Sequence, residues 1–416
     1  MTGMRGLAAA FGCVVMVAAC GKPVGFAPPV GGGDKLYEAT LQQTQIAVID
    51  SQSHAAVRTL PLGTPSPDWR HLYSVVSNTL VDTDPQTGAT LHRIQLPGYY
   101  ALPPATVSGI PGGLSHNGRW LTLQNTTSLF PRVTHFIVID TTYASPPKRI
   151  DLDGDFTFDA ISDDGQRLYL IEYLSGASYR VRMVDVAAGQ LNSMVVFDKT
   201  DGTEAMAGTR ISGVPSPDGN SLYSVYVRQN DVPFVHALDL RGPSARCINL
   251  PGSGYGSANG GAEFDWSLAL TPDGSTLYAV NAAVGVVSEI DTSSQTVTRT
   301  SHFTSLTSSP AGLLIPNVEA KELGSSAAVL SRDGKTLVAA GGSGIVWIDT
   351  TTLQVRNHAL GGSTIWGLGL SPDGNTLYAL SDSGIIAPIS ISTGAVGTTF
   401  GPAAGYPMAL MRVAAA

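Results

Sequence analysis

The stretch Leu370-Ser-Pro-Asp-Gly-Asn-Thr-Leu-Tyr-Ala-Leu380 constrains the fold more than any other part of the chain. It reads as a strand, a tight turn and a second strand. Ser371-Pro372-Asp373-Gly374 fits a type I turn, with Ser first, Pro fixing φ at the second position and Gly at the fourth. Leu377-Tyr378-Ala379-Leu380 then resumes an apolar, strand-forming run. The same pattern recurs over residues 65–73, 114–121, 161–169, 215–223, 270–278 and 330–337, and Lys35-Leu36-Tyr37 keeps its second strand alone.

Each copy is followed by a run that ends in a hydrophobic residue and Asp, a Thr/Gly turn and another alternating strand. Ile46-Ala-Val-Ile-Asp50, Phe136-Ile-Val-Ile-Asp140 and Val346-Trp-Ile-Asp349 are examples, and at Ala387-Pro-Ile-Ser390 the Asp is lost. The unit therefore has four strands, A to D. Its anchoring Leu falls at 36, 72, 121, 168, 222, 277, 337 and 377, with spacings of 36 to 60 residues. Four strands at a period of about 40–50 residues are the signature of a β-propeller. Composition agrees: charged residues are 13% of the chain, about half the usual share, and Gly is abundant.

Tyr278-Ala-Val-Asn281, with Pro272-Asp-Gly before it and Ile290-Asp-Thr after it, resembles the YVTN-type, surface-layer-type propeller repeat, which lies close in pattern to lactonase-like propellers. The resemblance covers nearly all of residues 35–413 and speaks for fold far more than for function. The expected architecture is all-β, with four-stranded blades numbering eight, or seven if the cramped strand before Pro65 is degenerate. The first unit lacks a strand A. Residues 406–413 look like a strand A with no successor, so they should close the ring by pairing with the N-terminal blade.

The first residues read as an address. Arg5 and an apolar run over 7–17 precede Val17-Ala18-Ala19-Cys20, which resembles the lipobox of bacterial lipoproteins. The resemblance implies a signal peptide over 1–19, lipid on Cys20 and a domain outside the cytoplasm, held at a membrane by its lipid. Residues 20–33 are a Pro/Gly-rich tether and 34–416 a single propeller domain. An ordinary secretory signal cleaved nearby, or an uncleaved anchor, is the alternative. Cys247 is then alone and cannot form an internal disulfide. Formal net charge is −8, and no Lys/Arg run exists. That argues against nucleic acid as partner, and the expected state is a monomer.

In the propeller family the A–B and C–D turns share one end of the ring. Here they are short and stereotyped, whereas the B–C and D–A connections vary widely. Variable loops on a rigid scaffold are where binding usually sits. The aromatic, Arg and acidic residues on that end are the candidates for binding a ligand or partner: Tyr99, Tyr100, Arg132, Arg210, Tyr255, Glu263, Asp265, Trp266, Glu322, Trp366 and Tyr406. Glu263 and Asp265 invite an acid–base reading but have no partner in sequence. Asp151, Asp153 and Asp155 offer oxygen ligands for Ca²⁺, although the Gly falls before the third Asp and no Glu follows at the required distance. The eight His show no H-x-H or H-x₃-H spacing, and there is no G-x-S-x-G elbow. No cofactor beyond that weak Ca²⁺ candidate is expected. The expected function is a binding or scaffold module recognising a protein or an envelope glycan. The alternative is a lactonase-like or quinoprotein-like enzyme working in the central channel.

Overall fold

The computed structural model describes residues 33–40, 44–105, 110–125, 132–174, 178–198, 206–228, 232–251, 262–306, 327–341 and 343–416. They form eight sheets, antiparallel but for one short added strand, that follow one another around a ring, each a blade of the propeller. Blade 6 shows the plan: Trp266–Leu270 innermost, then Thr276–Asn281, Val286–Asp291 and Thr296–His302. The inner strands of blades 2 to 5 are Thr64–Pro65, Tyr100–Ala101, Phe156–Ile161 and Thr209–Pro215. Those of blades 7 and 8 are Ala328–Leu330 and Ile365–Leu370.

Blade 1 takes Asp34–Thr40, Gln45–Asp50 and Ala55–Pro61 from the N-terminus and its inner strand, Pro407–Ala415, from the C-terminus. Asp34 pairs with Ala415 and Thr40 with Pro407, so the closure expected from the sequence is present. The weak spot before Pro65 is a real strand of two residues, Thr64 against Tyr73 and Pro65 against Leu72, and the count is eight. No helix among the described residues is long and apolar enough to cross a membrane.

The core is divided among the gaps between blades. Of the anchoring leucines, 36, 72, 121, 168, 277, 337 and 377 are fully buried and Leu222 is half-buried. Leu36 and the residue after it show how one strand serves two gaps. Leu36 packs against Tyr378, Leu380 and Ile386 of blade 8, while Tyr37 packs against Leu72 of blade 2. Successive residues of a strand point to opposite faces, so an apolar pair fills both neighbouring interfaces.

The A–B turns are seven copies of one device. Ser66, Ser115, Ser162, Ser216, Thr271 and Ser331 each donate a hydroxyl hydrogen bond of 2.5–2.8 Å to the Asp or Asn two residues on. Ser371 does the same to Asp373. In all seven the same hydroxyl accepts the backbone N–H five residues on, at 2.9–3.0 Å. The residue at the fourth position is in the left-handed region, Gly in six turns and Trp69 in blade 2. The C–D turns lock onto them: Thr141, Thr292 and Thr350 donate to the carbonyls of Gly118, Gly274 and Gly334.

Blade 8 departs from the plan. It has three strands, Ile365–Leu370, Thr376–Ser381 and Ile386–Ser390, and two isolated bridges, Ile386 to Phe400 and Ile389 to Val396, where the fourth would run. Pro388 explains the irregularity. Its carbonyl accepts the Gly397 N–H, so the N–H it lacks would face the same outer side.

Candidate binding face at the loop end

The opposite end of the ring is irregular. Residues 102–105 and 110–113 leave the inner edge of blade 3 and pair with each other through Ala105 N–H to Ile110 O and Gly112 N–H to Pro103 O. The connection from blade 4 to blade 5 adds two short strands. Phe197–Asp198 runs parallel to Ser244–Asn249, and Met206–Ala207 pairs with Ser178–Asp185.

Four inner strands bulge at this end: at Met408 in blade 1, at Asp159 in blade 4, at Ile211 in blade 5 and at Trp366 in blade 8. A bulge re-aims a side chain, and here it turns Asp159 into the gap between blades 4 and 5. There the Arg210 guanidinium donates to Asp159 at 2.5 Å, and both side chains are buried. Burial pushes the Asp159 carboxyl up, and the Arg210 charge opposes it.

Arg210 also donates to the Ala105 carbonyl at 3.4 Å, while Thr64 donates to the Gly112 carbonyl at 2.7 Å. The blade 3 hairpin thus ties the inner strands of blades 2 and 5 together across the blades between them. Beneath the ion pair lie stacked aromatic rings, Tyr179 with Tyr226 and Tyr226 with Phe234. His236 meets Tyr226 edge-on, and burial pushes its imidazole down to about 4, so it is neutral at physiological pH. A buried Asp–Arg pair fixes the positions of the strands that carry it.

The residues singled out in the sequence separate into groups. Tyr99 and Tyr406 are 65% and 58% exposed at the starts of inner strands, and Arg132 is exposed at the start of a third strand. Trp366 is half-buried at its bulge. These four lie at the loop end. Arg210 lies there too, but locked into the ion pair.

Tyr100 and Trp266 are core residues instead. Tyr100 packs with Tyr73, Leu121 and Leu123, and Trp266 is completely buried among Val225, Val227 and Leu268. Neither presents a surface to a partner, which corrects their reading as anchors. Each starts an inner strand, and that strand's first side chain turns into the blade gap. Glu263 falls in a short 3₁₀ turn, Ala262–Phe264, and Asp265 is half-buried after it. Tyr255, Glu322 and Cys20 lie outside the described residues.

Asp151 does not join Asp153 and Asp155 as a ligand set. Burial would raise its pKa, but hydrogen bonds from Arg149 and His135 hold it below the ordinary range. Among the described residues no three His, Cys, Asp or Glu side chains lie together as a metal site. Sequence reasoning missed Asp159, although an acid inside Phe156-Thr-Phe-Asp-Ala-Ile161 was a visible signal.

The fold and its two unlike ends define an eight-bladed β-propeller with one repeated and one variable end. Compared by sequence, the chain matches no protein-family profile and no curated protein. Among solved structures it is similar to dihydro-heme d1 dehydrogenase NirN in complex with DHE. That alignment covers 91% of this chain and 74% of that one, at 15% identity and a TM-score of 0.52. It is similar also to apo AztD from Citrobacter koseri, over 92% of this chain and 97% of that one, at 9% identity and a TM-score of 0.53. At these identities the likeness is one of fold.

Proposed function

We propose that the protein is a lipid-anchored, extracytoplasmic β-propeller of the YVTN-repeat kind that binds a protein or envelope glycan through its loop end. The observation that supports this reading is the difference between the two ends. One repeats a single hydrogen-bonded turn seven times. The other concentrates the inner-strand bulges, the cross-blade hairpin and the exposed Tyr99, Tyr406 and Arg132. Tyr and Arg are the side chains that most often carry binding energy, and a rigid scaffold lowers the entropy lost on binding.

A photo-crosslinking residue placed at Tyr99 or Tyr406 in cells should trap a discrete partner, and one at Thr351 on the turn end should not. Equal adducts from both ends, or none from the loop end, would overturn the reading. Cys20→Ser should abolish incorporation of a labelled fatty acid. Retained label would remove the lipid anchor from the proposal.

A further inference from the structure

The seam between blade 1 and blade 8 is where the first and last strands close the ring, and it contains a charge-bearing side chain that nothing among the described residues satisfies. Glu38 is wholly buried on the strand Asp34–Thr40. Two residues beyond Leu36, it shares the face that packs on blade 8. Its cross-strand neighbours are Ala47 on one side and Leu410 of the closing strand on the other, both in the apolar cluster of that seam. Both carboxyl oxygens are buried with no hydrogen-bond partner among the described residues.

The repeat itself shows how unusual this is. The equivalent position, two after the anchoring Leu, holds Ser74, Leu123, Leu170, Ser224, Ala279, Ala339 and Ala379 in the other blades. A carboxyl occurs there once, and it occurs at the closure.

The seam is also close-packed. A Cβ at Gly367 would stand 2.7 Å from the Leu410 nitrogen, and one at Gly369 would stand 2.6 Å from a Val413 methyl. An ionised carboxylate therefore gains solvent only if the seam opens, because burying a charge without a partner is strongly unfavourable.

Among the described residues no neighbouring charge relieves it. On blade 8, the Tyr378 hydroxyl donates to Asp34 at the turn end, and Asp382 is exposed beyond the same strand. Strands Ile365–Leu370 and Ile386–Ser390 carry no titratable side chain. His54 is exposed, stacked on Phe400, and Tyr406 is exposed ahead of the closing strand. Asp50 is paired with Lys35 near the turn, and Arg412 lies over Trp69 toward blade 2. Burial alone pushes the Glu38 carboxyl up to about 7.

We infer that Glu38 makes the closing seam a proton-controlled joint, shut while its carboxyl is protonated and loosened when it ionises. The sign follows from linkage. The closed ring holds the Glu38 proton more tightly than the unfolded chain does. The associated stability is complete below the ordinary glutamate value and is lost as pH rises through about 7. The effect corresponds to a change on the order of 10²-fold in the opening equilibrium across that range.

The test uses the full mature chain. Carboxyl carbon-13 NMR should show one Glu resonance titrating near neutrality and absent from Glu38→Gln. Amide hydrogen exchange, corrected for intrinsic rate, should show protection of 34–40 and 407–415 falling roughly 10- to 100-fold between about pH 5.5 and about pH 8.5. Strands of blade 6 should hold their protection. Glu38→Gln should show no such pH dependence. A Glu38 titration below about pH 5, an equal loss of protection in all blades, or the same pH dependence in Glu38→Gln would each overturn the inference. If that variant does not fold, the wild-type titration and exchange still decide.

Discussion

Trp69 stands where six other A–B turns carry a left-handed Gly, at φ 56°. That conformation costs a side-chain-bearing residue about 1–2 kcal/mol. The compensation is visible: its ring lies 5.0 Å from that of Tyr37, and the Arg412 guanidinium sits 5.0 Å over its face. Trp69 thus clamps both the first and the last strand of blade 1 onto blade 2, whose inner strand is only two residues long. Trp69→Ala should lower stability by about 2 kcal/mol, losing the stack while keeping the strained backbone. Trp69→Gly should recover about 1 kcal/mol of that. Denaturant unfolding checks both, and a Gly variant no more stable than the Ala one would remove the strain argument.

At the same scale, hydrogen bonds from Ser216 and Asn220 hold Asp218 down to about 2. Its stabilising effect is present above the ordinary aspartate value and disappears as pH falls toward 2. Ser216→Ala should therefore raise the Asp218 titration midpoint, read by NMR. The turn chemistry was legible because it is local. The burial of Tyr100 and Trp266 was not, because it depends on side chains from the neighbouring blade.

Elements explain most of what the sequence could and could not disclose. The Leu anchors locate second strands because each must fill a gap between blades, so Leu277→Ala should cost about 2–5 kcal/mol in thermal or denaturant unfolding. The two-residue strand of blade 2 and the missing fourth strand of blade 8 sit at the two places where the repeat frays, before Pro65 and at Ala387-Pro388. The role of Glu38 was hidden. Its neighbours across the seam come from residues some 340 to 370 positions away in the chain. The closing strand is the element on which the ring depends. Deleting residues 407–416 would leave the backbone groups of Asp34–Thr40 unpaired on the channel side. The truncated chain should lose cooperative unfolding and aggregate, as circular dichroism and light scattering would show. A soluble truncated chain with an unchanged melting curve would contradict this.

For the whole molecule, the turn carboxylates and Glu38 act in opposite directions with pH. Stability should rise from about pH 2 to about pH 4 as the turn acids ionise and decline again toward pH 7 as Glu38 loses its proton. A melting-temperature profile that climbs steadily to pH 8 would contradict the combination. Gly33 and Ala416 meet through a 2.8 Å hydrogen bond, Ala416 N–H to Gly33 O, beside the repeated turns. That contact fixes a direction. The described chain enters and leaves the ring at its uniform end, opposite the irregular one. A fusion at either terminus would leave Tyr99 and Tyr406 unobstructed on the far side, about one strand length, or ~20 Å, further out.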